Sequence, residues 1–168
     1  TAVADPTSWR GGGIYASAWL SVSNTVIKGN STSNNAVRTG TTQGGGIFAT
    51  SGMRLVNVLI AGNWNVGTNT DNLGDGVYWR PATQDQDMVN CTVVSNGVQG
   101  VYVVGQGKRS VMNSIFWGNG DDLVNFPTNA SGVLTNVWYC DIEDGDNPGA
   151  QGCVSVDPLF VDQTYYHL

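Results

Sequence analysis

The feature that most restricts what this chain can fold into is a seven-residue phrase that returns along it. The phrase opens on Asn, passes through a mostly apolar stretch and closes on Asn: Asn24 to Asn30 (NTVIKGN), Asn57 to Asn63 (NVLIAGN), Asn90 to Asn96 (NCTVVSN) and Asn113 to Asn119 (NSIFWGN). A fifth copy opens at Asn136 (NVWYCDI) and lacks the closing Asn. The opening residues lie 33, 33, 23 and 23 positions apart. Self-similarity at such a period means one structural unit stacked on the next, so the phrase marks a turn of a solenoid.

A second phrase, Gly-rich and then apolar and aromatic, precedes each Asn phrase. It reads Gly12, Gly13, Ile14, Tyr15; Gly45, Gly46, Ile47, Phe48; Asp75, Gly76, Val77, Tyr78; and Gln99, Gly100, Val101, Tyr102, with an echo at Asp122, Leu123, Val124. Period-two alternation turns its Ile and Val column inward. Two residues before each opening Asn stands another apolar residue: Val22, Leu55, Met88, Val111 and Leu134. The same period places Asn24, Asn57, Asn90, Asn113 and Asn136 inward, where an amide alone is costly but amides stacked rung on rung satisfy one another. The chain is therefore expected to carry an internal Asn ladder. Three residues further on, Ile27, Ile60, Val93, Phe116 and Tyr139 are expected inward, which requires each opening Asn to break the alternation in a left-handed conformation.

Composition agrees with strands. Gly numbers 23 and charged residues make up 12 %, and no window holds a 3.6-residue period without interruption, so almost no α-helix is expected. The expectation is an all-β solenoid with three parallel sheets and about six rungs stacked at about 4.8 Å. Residues 1–168 form one domain, with an entry segment at 1–10, regular rungs over 11–138 and modified last rungs over 139–168. The polar stretches 30–43 and 63–74 should protrude as loops at one corner, and part of 81–87 at another. Residues 152–162 (GCVSVDPLFVD) read as a last rung without a cap, leaving sheet edges exposed. A net charge of -6 with scattered Lys and Arg excludes a nucleic-acid partner, and the apolar runs are too short for membrane insertion. A start at Thr1 beside a repeat reads as an excised piece of a longer protein.

With both phrases in view, the chain resembles the right-handed parallel β-helix repeat proteins of the bacterial secreted and surface-exposed type, with a pectate-lyase-like superfamily fold. The Gly-Gly-Ile-Tyr opener, the Asn rung, NSIFWGN at 113–119 and VDPLFVD at 156–162 carry that resemblance. The last residues are similar to the segment that usually runs into a C-terminal surface-anchoring region. The resemblance implies an extracellular or cell-surface location. It leaves function open, because this fold hosts lyases, hydrolases, adhesins and passenger domains alike.

Carbohydrate-cleaving chemistry needs a carboxyl pair about 5 to 9.5 Å apart, or a cationic base beside Ca²⁺ ligands. The carboxyl candidates are Asp121 with Asp122, and Asp85 with Asp87; Arg80, next to Trp79, is the candidate lyase base. Asp141, Glu143, Asp144 and Asp146 supply hard oxygens at a turn and are the candidate Ca²⁺ site. Trp64, Trp79, Trp117 and Trp138, with Arg80, are expected outward as contacts for a glycan or a protein interface. A single His, His167, excludes a serine-hydrolase triad. Cys140 and Cys153 suit a disulfide in a secreted protein, and Cys91 reads as a small core residue. The sequons at Asn30, Asn90 and Asn129 include one, Asn90, whose ladder position argues against glycosylation.

No constellation assembles a catalytic set, so the reading leans away from an enzyme. It favours a structural or adhesive segment that self-associates head-to-tail into a filament or joins another surface protein. The competing reading is a polysaccharide-binding or polysaccharide-cleaving module.

Overall fold

A computed structural model describes residues 8–33, 40–67, 72–80, 85–105 and 107–167. Among them there is no helix, and every pairing between strands is parallel. The Gly-aromatic phrases form one sheet of five strands: Ile14–Ala16, Ile47–Ala49, Val77–Trp79, Val101–Val103 and Leu123–Val124. Ile14, Ile47, Val77, Val101 and Leu123 stand in one column, as the alternation predicts. The intervening Tyr15, Phe48, Tyr78 and Tyr102 stack ring on ring on the other face, with centroids 5.4, 4.9 and 5.7 Å apart.

The Asn phrases build a second sheet of eight strands that bends at each opening Asn. In the first two rungs one nine-residue strand runs through the bend, Leu20–Lys28 and Met53–Ala61. The opening residues are left-handed, with φ of 50° at Asn24, 56° at Asn57, 52° at Asn90 and 50° at Asn113. That conformation throws two successive side chains outward, as at half-buried Val56 and exposed Asn57, and restores alternation beyond them, so Leu55, Val58 and Ile60 all reach the core. The bend is the one the spacing required.

The same bend overturns the expected ladder. Asn24, Asn57, Asn90, Asn113 and Asn136 are all exposed, since the apex of a corner points to solvent; among the described residues the one side-chain bond between them runs from Asn57 Nδ2 to Asn24 Oδ1 at 2.7 Å. Exposure also removes the objection to Asn90 as a sequon. The buried ladder is made by the closing residues Asn30, Asn63, Asn96 and Asn119. Asn63 Nδ2 donates to Asn96 Oδ1 at 2.9 Å and to the Ile27 carbonyl of the previous rung at 3.0 Å. Asn96 repeats the pattern with Asn119 Oδ1 and the Ile60 carbonyl, and Asn30 donates to Asn63 Oδ1. Each acceptor also takes the backbone N–H of the preceding ladder residue. Asn63 and Asn96 are 0 % and 2 % exposed, so these bonds replace water entirely.

The fifth rung departs from the repeat. Val137 pairs with Val111 and Ile142 with Phe116, which puts the corner at Tyr139, 26 positions after Asn113, with φ of 54°. Val137 rather than Leu134 therefore continues the column of Val22, Leu55, Met88 and Val111, and Ile142 rather than exposed Tyr139 continues that of Ile27. The displaced residues have another use. Thr128 and Leu134 form an antiparallel bridge, Asn147 clamps both backbone groups of Leu134, and Phe126 and Leu134 are buried over the end of the core. That end is closed, contrary to the expectation of an uncapped solenoid. At the other end Ile14, Leu20 and Val22 are only partly buried, where their counterparts Ile47, Met53 and Leu55 are fully so.

Three sheets were expected and four are found among the described residues. The long corners are not plain loops: Ser31–Ser33 pairs with Trp64–Val66, and Ser8–Arg10, Thr41–Gln43 and Asn72–Leu73 form a further sheet. The segment 81–84 lies outside the described residues. Beyond the bridge from Val154 to Asp141, the stretch 155–167 forms no rung. It folds back as a strap along the outer side of the bent sheet, where Lys28 Nζ donates to the Thr164 carbonyl and sits 5.6 Å from the Tyr166 ring centre.

Replacing Asn63 with Leu strands its partners in a dry interior and should cost about 1–3 kcal/mol in chemical denaturation. Asn57→Gly, at an exposed left-handed corner that glycine adopts freely, should stay within about 0.5 kcal/mol of the parent.

Candidate functional site

The ladder runs in one direction, each amide donating toward the C-terminal end, so its last partner needs only to accept. Asp122 fills that place. Its Oδ1 accepts from Asn119 Nδ2 at 2.7 Å, and its Oδ2 accepts from the N–H of Glu143 at 3.0 Å. The register aligns Asp122 with Gly100, the glycine of the preceding opener. Glycine is needed there because a Cβ on Gly46, Gly76 or Gly100 would stand 2.6, 2.4 and 2.8 Å from a backbone carbonyl of the next rung, with the ladder amide close behind at 3.1, 3.1 and 3.0 Å. No ladder residue follows Asn119, since the register that pairs Phe116 with Ile142 puts Gly145 opposite it, and the Asp122 carboxylate takes the Asn119 donor instead.

Burial pushes the Asp122 carboxyl up to about 6, with Asp144 adding repulsion and the Asn119 bond opposing it. Asp146 is likewise raised to about 6, by burial and by Asp144 and Asp121. Asp121 moves the same way for the same two kinds of cause, burial first and then Asp144. These acids gather at one corner, where each feels the charge of Asp144.

Three of the four residues expected to hold Ca²⁺, Asp141, Glu143 and Asp144, cap separate backbone amides instead. Asp141 Oδ1 accepts from Val156 N at 3.0 Å, Glu143 from Gly118 N, and Asp144 from Asp122 N at 2.9 Å and Asp146 N at 3.2 Å. Among the described residues no three His, Cys, Asp or Glu side chains converge as metal ligands. Asp75, which sequence reasoning passed over, works alike: 2 % exposed, it accepts from the N–H groups of Asn65, Val98 and Gln99 and joins two rungs.

Asp85 and Asp87 border a shallow cleft of about 390 Å³ with Lys108, Ser110 and Asn136. Asp87 lies 3.8 Å from Arg54 and accepts from the Ser110 hydroxyl at 2.5 Å, while Asp85 lies 3.6 Å from Lys108. Both carboxylates are thus engaged by cations.

Trp79 corrects the expected aromatic surface. Period two from inward Val77 turns it into the core, where it is fully buried beside the small Ala49 and donates Nε1–H to Gln86 Oε1 at 2.6 Å. Arg109, 4 % exposed, lies over the same ring at 5.7 Å and donates to the carbonyls of Val104 and Gly105, and burial lowers it to about 10. Arg80 is exposed on the far side of the strand and does not share a groove with Trp79. The outer face of the opener sheet is filled by the aromatic stack, with Arg10 over Phe48 at 5.3 Å. Trp64 is exposed; Trp117 and Trp138 are half-buried and belong to opposite sides of the corner.

Cys140 and Cys153 are neighbours across the last parallel bridge and interact through their side chains, yet both thiols are free, as is that of Cys91. All three are buried, and burial raises Cys91 to about 11 and Cys140 to about 12. Among the described residues no helix is long and apolar enough to cross a membrane.

A family model described as a right-handed β-helix region matches residues 4–137. No curated protein and no solved structure matches the chain.

The raised acids set a pH dependence. A carboxyl held above its ordinary value stabilises the fold fully below about pH 4, and that contribution is lost as pH rises through about 6. Melting temperature should therefore fall between pH 4 and pH 7. Asp146→Asn should raise it at pH 7 and flatten the slope, as differential scanning fluorimetry would read.

Proposed function

The chain belongs to the right-handed β-helix family, and on that premise we propose that it is a structural or adhesive segment of an extracellular or cell-surface protein. One observation supports this above others. Carboxylates that were candidates for chemistry hold the solenoid together: Asp122, from a candidate catalytic pair, and Asp141, Glu143 and Asp144, from the candidate metal site, accept from backbone amides of other segments, as does Asp75. Glycoside cleavage needs two carboxyls turned on substrate across a cleft, one of them free to give up a proton. Incubation with a panel of acidic and neutral polysaccharides, with and without Ca²⁺, should release neither reducing ends nor unsaturated sugars; release of either overturns the structural reading.

The ends bear on assembly. A head-to-tail filament requires two open ends, and the C-terminal one is closed by Phe126 and Leu134. The N-terminal end keeps Ile14, Leu20 and Val22 partly exposed. A preceding rung or a second copy would cover that face, and in the second case two N-terminal faces close a pair instead of growing a fibre. Sedimentation equilibrium should give a concentration-dependent dimer that Val22→Lys weakens; strict monomers, or chains longer than two, contradict it.

An oxidising location adds a covalent expectation. Parallel neighbours lie about 4.8 Å apart, inside the ~4.4–6.8 Å that a disulfide spans between Cα atoms. With oxidised glutathione, Cys140 and Cys153 should join as two thiols lose their protons and two electrons, and the oxidant leaves as two glutathione thiols. Thiol titration after unfolding should then find one free Cys of the three; three free thiols count against a disulfide-bonded surface protein.

A further inference from the structure

Between the strap and the bent sheet lies a pocket of about 410 Å³, lined on the sheet side by Val94, Ser95 and Trp117 and on the strap side by Asp157, Phe160, Gln163 and Tyr166, among others. Its size falls within the ~300–1,000 Å³ of small-ligand sites. We propose that this pocket binds a neutral oligosaccharide, seated on Trp117 and held by the polar groups around it. The inference is independent of the structural role, since a scaffold can carry a sugar-binding pocket without cleaving anything.

The first argument is Ser95. It occupies a left-handed corner, φ 51°, at the place where the other rungs have Gly29, Gly62 and Gly118 with φ of 65°, 58° and 65°. Glycine enters that conformation without strain, and serine does not. A non-glycine residue kept there is a departure from the repeat's own rule, and it lies at the pocket. Its hydroxyl stands over Gly118, where an added Cβ would come 3.3 Å from the Ser95 oxygen. Among the described residues that hydroxyl has no hydrogen-bond partner, nor do the Trp117 indole N–H and the Gln163 amide.

The second argument is the character of the walls. Trp117, Phe160 and Tyr166 are each half-buried, and the latter two meet edge to face at 5.3 Å, which fixes the ring on the strap side. Aromatic faces with polar handles at their rims match a pyranose, which offers C–H bonds on one face and hydroxyls around its edge. Asp157 spends Oδ1 on the N–H of Leu159 and keeps its other oxygen for a sugar hydroxyl. Its charge, with the net charge of -6, disfavours uronates and phosphorylated ligands and selects the neutral class. The pocket exists only because the strap folds back, and Lys28 anchors the strap through the Thr164 carbonyl and the Tyr166 ring.

The test is saturation-transfer NMR on the full chain with cello-, xylo-, manno-, malto- and chito-hexaoses, and oligogalacturonate as the charged comparison. Transfer is expected to ring C–H protons of at least one neutral sugar and not to oligogalacturonate. Trp117→Ala should weaken that binding by about tenfold, the loss of one aromatic platform. Ser95→Gly should weaken it while leaving the melting temperature equal or higher, because it relieves strain. If circular dichroism shows that Trp117→Ala is unfolded, Gln163→Ala on the exposed strap gives the same reading. Silence from every neutral sugar overturns the proposal, as does unchanged binding in the folded Trp117 variant or in both Ser95→Gly and Gln163→Ala. None of these outcomes depends on whether a polysaccharide is cleaved or a dimer forms.

Discussion

The hydrogen bond from one ladder amide to the next is the interaction on which the rest of the molecule depends. A parallel solenoid has to fix how far each turn is wound before the next begins, and apolar contacts alone are non-directional. Asn63 and Asn96 supply direction. Each binds a carbonyl one rung back and an amide one rung ahead, in an interior where an unmatched donor would be costly. The opener glycines belong to the same contact, for a side chain at Gly46, Gly76 or Gly100 would collide with the backbone carbonyl of the next rung and crowd the ladder amide beside it. Two phrases that look separate in the sequence are two sides of one contact.

Because the ladder has a direction, its two ends differ. At the C-terminal end it finishes on Asp122, an acceptor that asks for nothing further, and the core beneath is closed by Phe126 and Leu134. At the N-terminal end Ile14, Leu20 and Val22 remain half-covered. The closing carboxylate brings acids together and raises their proton affinity, so the same device that ends the ladder makes the corner sensitive to pH. The strap then adds something no rung contains: a concave surface between the sheet and a segment that has left the repeat.

The sequence by itself determined the repeat, the parallel strands, the apolar columns from Ile14 to Leu123 and from Ile27 to Phe116, and the left-handed corners. These are local: period-two alternation and the tolerance of Asn for positive φ suffice to find them. Tertiary structure decided which Asn of each phrase is buried. Both recur with the same period, the opening Asn five times and the closing Asn four, and the sequence signal that separates them, a glycine column that leaves room for one amide, is visible only when rungs are stacked. Trp79 was legible, since alternation from Val77 already turns it inward; the aromatic-surface expectation neglected that. The slip of the last rung to Tyr139, the cap at Phe126 to Leu134, and the path of residues 155–167 were not legible. Each is chosen by long-range closure of an exposed core or sheet face, and a local pattern carries no record of which distant segment will lie over it.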